Sequence, residues 1–198
     1  KDILNFNGKE ILAKKFFNID KTKKTVLVIG GSLGARTINN AIFNHLDNIK
    51  KSKINLIWQT GELFHPIAKE SINKLNFPRL KTYDFIKNMD LAYTVADIII
   101  SRAGAIAISE LCYVGKPVIL VPSPNVAENH QFKNAQSLVN KNAALLVEDR
   151  HASCKLVDIL MSLLSDNELQ DTLSSNIKKL AINDAAESIA NLALAMKK

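Results

Sequence analysis

The stretch TVLVIGGSLG (25–34) constrains what this chain can fold into more than any other. Val26, Leu27, Val28 and Ile29 leave no polar face, so the run suits a strand buried on both sides, as in a parallel sheet. Paired glycines end it, and GARTINNAIFNHLD (34–47) then reads as a helix. The same unit recurs along the chain. INLIWQ (54–59), RLKTYD (79–84), DIIIS (97–101), PVILV (117–121) and AALLVE (143–148) are further strand runs. Helical patterns fill 62–74, 87–96, 105–114 and 128–140 between them. Six strands alternating with helices predict an α/β fold with a doubly wound parallel sheet, Rossmann-like in layout.

After Glu148 the pattern stays helical. VDILMSLL (157–164), NELQDTLSSNIKKLAIN (167–183) and DAAESIANLALAMKK (184–198) are amphipathic, and Asp184 suits an N-cap. GKEILAKKFF (8–17) reads as a short helix outside the sheet. The expected division is a lead-in segment over 1–20, a ligand-binding domain over 21–183 and a terminal helix over 184–198.

With 198 residues, 47% of them hydrophobic, the chain can bury a core without covalent staples. Cys112 and Cys154 form no CxxC pair and no metal-type spacing, which speaks for a reducing, cytoplasmic setting. No D-x-D motif appears, so nothing suggests a metal-clamped diphosphate, and no metal site is expected. The net charge of +7 is compatible with anionic partners, but the lysines are spread. KTKK (21–24) and KKSK (50–53) read as solvated faces, and no aromatic-basic interleaving points to nucleic acid.

In a doubly wound sheet, ligands bind beyond the carboxyl ends of the strands, where the strand order reverses. Three turns on that edge carry unusual residues. In IGGSLGARTI (29–38), Gly30, Gly31 and Gly34 permit a sharp turn, and the following helix start offers unpaired N–H groups to an anion. Phosphate binding and plain chain geometry both explain them. In SRAGAIAISELCYVG (101–115), Ala107 and Glu110 share a helical face. A carboxylate there can accept both hydroxyls of a ribose, or be a surface acid favoured by the helix dipole. Arg102 reads as a structural partner near the strand end. In VPSPNVAENHQFKNA (121–135), two prolines stiffen a loop that delivers His130 and Gln131 to the same crevice.

A glycine-rich turn, a helix-borne acid and an amide after a proline-rich loop, in that order, resemble the C-terminal half of the GT-B glycosyltransferases. GGSLGARTIN (30–39), the FI of YDFIKNM (83–89), SRAGAIAISELCYVGKPVILVP (101–122) and NHQFKNA (129–135) carry the resemblance, and DAAESIA near the end fits it. The similarity is greatest to members that transfer N-acetylglucosamine to a lipid-linked muramyl-pentapeptide in peptidoglycan synthesis. It implies a donor site for UDP-N-acetylglucosamine. Gly31, Ser32 and Gly34 would hold the diphosphate, and Ile86, through its backbone amide and carbonyl, would read the uracil edge. Ala105, Ile106, Ala107, Ile108 and Ser109 would line the nucleoside, with Glu110 on the ribose hydroxyls. Gln131, with His130, would contact the sugar. Alanine stands at 107 where relatives often have threonine, and histidine at 130 where some have glutamine.

The resemblance further implies an upstream domain holding the catalytic base, the lipid-linked acceptor and a surface that docks on the cytoplasmic face of the plasma membrane. No cofactor is implied beyond the donor. These residues alone are expected to bind donor and transfer nothing. The rivals are another GT-B UDP-sugar enzyme, such as a UDP-N-acetylglucosamine 2-epimerase, and a non-catalytic doubly wound interaction module.

Overall fold

The computed structural model describes residues 8–182. Six parallel strands form its centre: β1 (Thr25–Ile29), β2 (Asn55–Gln59), β3 (Leu80–Tyr83), β4 (Ile98–Ser101), β5 (Val118–Leu120) and β6 (Leu145–Leu146). Their order across the sheet is β3-β2-β1-β4-β5-β6. The direction of winding therefore reverses between β1 and β4. All six lie within the runs that the sequence nominates. The edge strand β6 is reduced to two residues, hydrogen-bonded to β5.

The two-residue period of β1 distributes its side chains to two cores. Val26 and Val28 pack with α2 (Arg36–Asn44), α3 (Leu46–Lys51), α4 (His65–Leu75) and α8 (Ala152–Ser165). Leu27 and Ile29 pack with α1 (Glu10–Phe16), α5 (Met89–Val95), α6 (Ala105–Val114) and α7 (His130–Val139). The helix α9 (Asn167–Lys178) serves both, with Leu173 in the first core and Ile177 in the second. Every residue of β1 and β2 is buried, as a doubly covered parallel sheet requires.

Two local features depart from the sequence reading. The helix expected over 34–47 ends at Asn44, and a separate α3 follows, because His45 adopts φ −118° and its Nδ1 lies 2.8 Å from the Ala41 carbonyl. Lys24, expected on a solvated face, instead donates to the Leu164 carbonyl, Asn167 Oδ1 and Gln170 Oε1, tying the start of β1 to the α8–α9 corner. The expected terminal helix over 184–198, like residues 1–7 of the lead-in, lies outside the described residues.

The short helix α1 does pack outside the sheet, against α5. Ala13 and Phe17 are buried there, and Lys9 Nζ donates to Asp90 Oδ2 at 2.7 Å. The hydrogen bond from Lys9 holds the Asp90 carboxyl below its ordinary range. A lowered folded pKa means the pair stabilises above the ordinary aspartate value, and that support is lost as pH falls through the folded value. Asp90→Asn should cost about 0.5–1 kcal/mol at neutral pH, as expected for a partly exposed pair. Urea unfolding of both proteins should show that gap closing in acid.

Candidate functional site

The reversal of strand order leaves a crevice between the loops that follow β1 and β4. Ile29 and Ser101 are paired in register, so Gly30 and Arg102 emerge side by side. A cleft of about 480 Å³ opens there. It is lined by the turn 30–34, the start of α2, Arg102, Ser123–Asn125, Gln131 and Asp149.

The glycines of the first turn do different work. Gly34 has φ +77°, and a Cβ on it would overlap the Thr60 carbonyl oxygen. Across that contact Gly61 has φ +79°, and its own Cβ would overlap the Leu33 carbonyl. Gly34 thus lets two strand-end loops touch backbone to backbone. Gly30 is equally enclosed by Ala35. Gly31, at φ +84°, has nothing within 4 Å of its missing side chain. Of the three, it is the glycine whose surroundings are open to a ligand. Ser32 is exposed beside it, and α2 begins without a side-chain cap, leaving its first N–H groups free toward the cleft.

The loops are braced from below. Asn39 Nδ2 donates to the Thr60 carbonyl at 2.6 Å, and its Oδ1 accepts from Trp58 Nε1. Arg102 pairs with Asp149 and also donates to the Val121 carbonyl. Asp149 in turn accepts from Thr37 Oγ1 at 2.9 Å. The structural role read for Arg102 in the sequence is the one the geometry shows, whereas Asp149 was not singled out. Gln131 spends its Oε1 on the backbone amides of Ser123 (2.9 Å) and Ala103 (3.3 Å). Its Nε2 remains for an acceptor in the cleft. His130 is exposed, with Nδ1 2.9 Å from the Ala127 carbonyl, and does not line the cleft.

The remaining expected residues do not line this cleft. Gly104 caps α6 without a side-chain hydrogen bond, so the first turn of α6 also presents free N–H groups. Ala105, Ile106 and Ser109 are exposed, while Ala107, Ile108 and Glu110 are half-buried. Glu110 Oε2 accepts from Tyr93 Oη at 2.9 Å. Burial, and then the Glu110 carboxylate, push the Tyr93 phenol far above the ordinary tyrosine range. Tyr93 therefore stays a donor and fixes one oxygen of Glu110, and the other has no hydrogen-bond partner among the described residues. Ile86 is 3% exposed, and its N–H, expected to face the base, instead donates to Gln59 Oε1 at 2.9 Å. Neither Tyr93 nor Gln59 was singled out in the sequence, since the partners of each, Glu110 for Tyr93 and Gly31 and Ile86 for Gln59, are distant along the chain. Among the described residues, no group of His, Cys, Asp and Glu is placed to hold a metal ion. No helix among them is long and apolar enough to cross a membrane.

Comparison with known proteins adds to the geometry. The profile of the glycosyltransferase family 28 C-terminal domain matches residues 25–189. A curated relative from Phocaeicola vulgatus is 51% identical over 179 residues, covering 90% of this chain and 48% of its own length. It is named a UDP-N-acetylglucosamine--N-acetylmuramyl-(pentapeptide) pyrophosphoryl-undecaprenol N-acetylglucosamine transferase. The chain thus spans about half the length of the curated relatives it matches. Among solved structures, MurG of Acinetobacter baumannii superposes with a TM-score of 0.77 at 24% identity, over 97% of this chain and 54% of that one. A UDP-GlcNAc 2-epimerase from Neisseria meningitidis gives 0.67 at 16% identity, over 97% and 50%. At these identities the structures speak for the fold.

The glycine contrast is measurable. Gly34→Ala should destabilise by about 3 kcal/mol, combining left-handed strain with backbone overlap. Gly31→Ala should cost about 1–2 kcal/mol from strain alone. Denaturant midpoints of the two variants check the order.

Proposed function

The chain belongs to the glycosyltransferase family 28 C-terminal domains, and from that premise we propose that it is the donor-nucleotide half of an inverting N-acetylglucosaminyltransferase. The full enzyme would move N-acetylglucosamine from UDP to undecaprenyl-pyrophosphoryl-muramyl-pentapeptide. The observation that carries this reading is the division of the site at the strand-order reversal. An open glycine turn and an uncapped helix start lie on one side, and a carboxylate held by a buried tyrosine on the other. That is one end for a diphosphate and one for a ribose. The P. vulgatus relative, named for this transfer, supports the choice of sugar and acceptor.

In this reading residues 21–183 form the nucleotide-sugar unit, with 1–20 leading in and 184–198 following. Gly31, Ser32 and the start of α2 hold the diphosphate through backbone N–H groups and the Ser32 hydroxyl, while Gly34, whose N–H donates to the Gly31 carbonyl at 3.0 Å, shapes the turn. Ala105, Ile106, Ala107, Ile108 and Ser109 line the nucleoside, and Glu110 accepts from the ribose hydroxyls. Ile86 faces the uracil edge. Gln131 Nε2, with His130 nearby, reaches the sugar. As the acceptor hydroxyl forms its bond to the anomeric carbon, the bond from that carbon to the diphosphate breaks. UDP leaves with its new charge supported by the start of α2. The hydroxyl proton goes to a base on the upstream half, where the lipid-linked acceptor binds. The whole enzyme would then work at the cytoplasmic face of the plasma membrane.

Glu110 makes only one side-chain hydrogen bond among the described residues, to Tyr93, so removing it should leave the fold intact. A carboxylate accepting hydroxyl hydrogen bonds contributes about 1.5–3 kcal/mol, so Glu110→Ala should weaken UDP-N-acetylglucosamine binding roughly tenfold to hundredfold. Isothermal calorimetry with UDP-N-acetylglucosamine, UDP-glucose and GDP-mannose checks this. Binding of GDP-mannose as tight as that of UDP-sugars, or unchanged affinity in the variant, would overturn the assignment. Transfer to acceptor by these 198 residues alone would contradict the division of labour. Release of the 2-epimer of the sugar would favour the epimerase instead.

A further inference from the structure

We propose that Gln59 is a positioning residue that fixes the peptide of Ile86 and so sets the preference for uracil, an inference that rests on the donor-site reading above. Gln59 ends β2 and is 4% exposed. Its Nε2 donates to the Gly31 carbonyl at 2.8 Å, and its Oε1 accepts from the Ile86 N–H at 2.9 Å. One buried carboxamide therefore joins the glycine turn after β1 to the loop after β3. These loops lie on opposite sides of the strand that carries Gln59, since β2 runs between β1 and β3.

The consequence for the base follows from what remains unpaired. The Ile86 N–H is committed to Gln59, whereas the Ile86 carbonyl has no hydrogen-bond partner among the described residues. A carbonyl can only accept. Uracil carries an N–H at position 3 and can donate to it, while cytosine presents a lone pair there and is repelled. Discrimination then depends on holding that peptide still. Gln59 does so with the same amide that anchors the diphosphate turn, so base and phosphate recognition share one support. Serving both loops requires a donor and an acceptor on a single side chain, which glutamine supplies.

The test compares UDP with CDP on the full chain, for wild type, Gln59→Met and Gln59→Glu. Methionine keeps the length and loses both hydrogen bonds. Glutamate keeps an acceptor for the Ile86 N–H and loses the donor to Gly31. Its negative charge acts on both diphosphates alike, so the UDP:CDP affinity ratio remains readable. Losing one fixed hydrogen-bonded contact of about 1 kcal/mol should lower that ratio roughly fivefold in Gln59→Met, with recovery in Gln59→Glu. Amide hydrogen exchange without ligand should show Ile86 losing protection in the methionine variant and keeping it in the glutamate variant. Tight UDP binding with the ratio unchanged in Gln59→Met would overturn this inference while leaving the donor site standing. Failure of the wild type to bind any uridine nucleotide would overturn both. Should Gln59→Met not fold, a loss of UDP:CDP preference in Gln59→Glu would by itself refute the acceptor role.

Discussion

Everything in this fold depends on burying β1 from both sides. Four successive apolar residues cannot face water, so helices must cover each face of the sheet, and a parallel arrangement supplies them through its crossovers. Once β1 is central, the chain winds outward through β2 and β3 and then returns to place β4 on its other flank. That return opens a crevice where no crossover covers the strand ends. The loops after β1 and β4 are thereby left with exposed backbone donors and a space between them. The site is a consequence of strand order, and the particular residues refine it.

The electrostatics of the cleft are less simple than the net charge of +7 suggests. Arg102 lines it but is paired with Asp149, and Lys24 is spent on the α8–α9 corner. Lys21 and Lys23 line a different cleft, with Lys14 and Lys116, around the start of β1. In the proposed site, attraction for a diphosphate would therefore fall chiefly on backbone N–H groups at helix starts, with the exposed Arg36 at the cleft wall. Such donors are already oriented by the fold and need little rearrangement when charge develops on a leaving group. In the proposed site Tyr93 would play a corresponding part beside the nucleoside, since its phenol holds one Glu110 oxygen in place.

The layout was legible because it rests on local pattern. Short runs separated by helical patterns marked all six strands, most of them strongly apolar and RLKTYD less so, and glycines marked the turn after β1. The separation of α2 from α3 was not, since it rests on the conformation of His45 and not on composition. The roles of individual glycines were only half legible. Sequence shows that Gly30, Gly31 and Gly34 allow a turn, but only the approach of Thr60 and Gly61 separates a packing glycine from an open one. Gln59, Tyr93 and Asp149 were missed for a common reason. Each acts on residues at least 17 positions away in sequence, through a contact that exists only after the sheet has formed. A polar residue closing a buried strand is the one signal that could have nominated Gln59.

The most direct measurement is a backbone NMR titration of the chain with UDP-N-acetylglucosamine. The donor-site account predicts that the largest amide shifts fall on Gly31, Ser32, the start of α2, Ile86, Ala105–Glu110 and Gln131, on one edge of the sheet. Shifts confined to the lysine-lined cleft around the start of β1, or no saturable shifts at all, would contradict it.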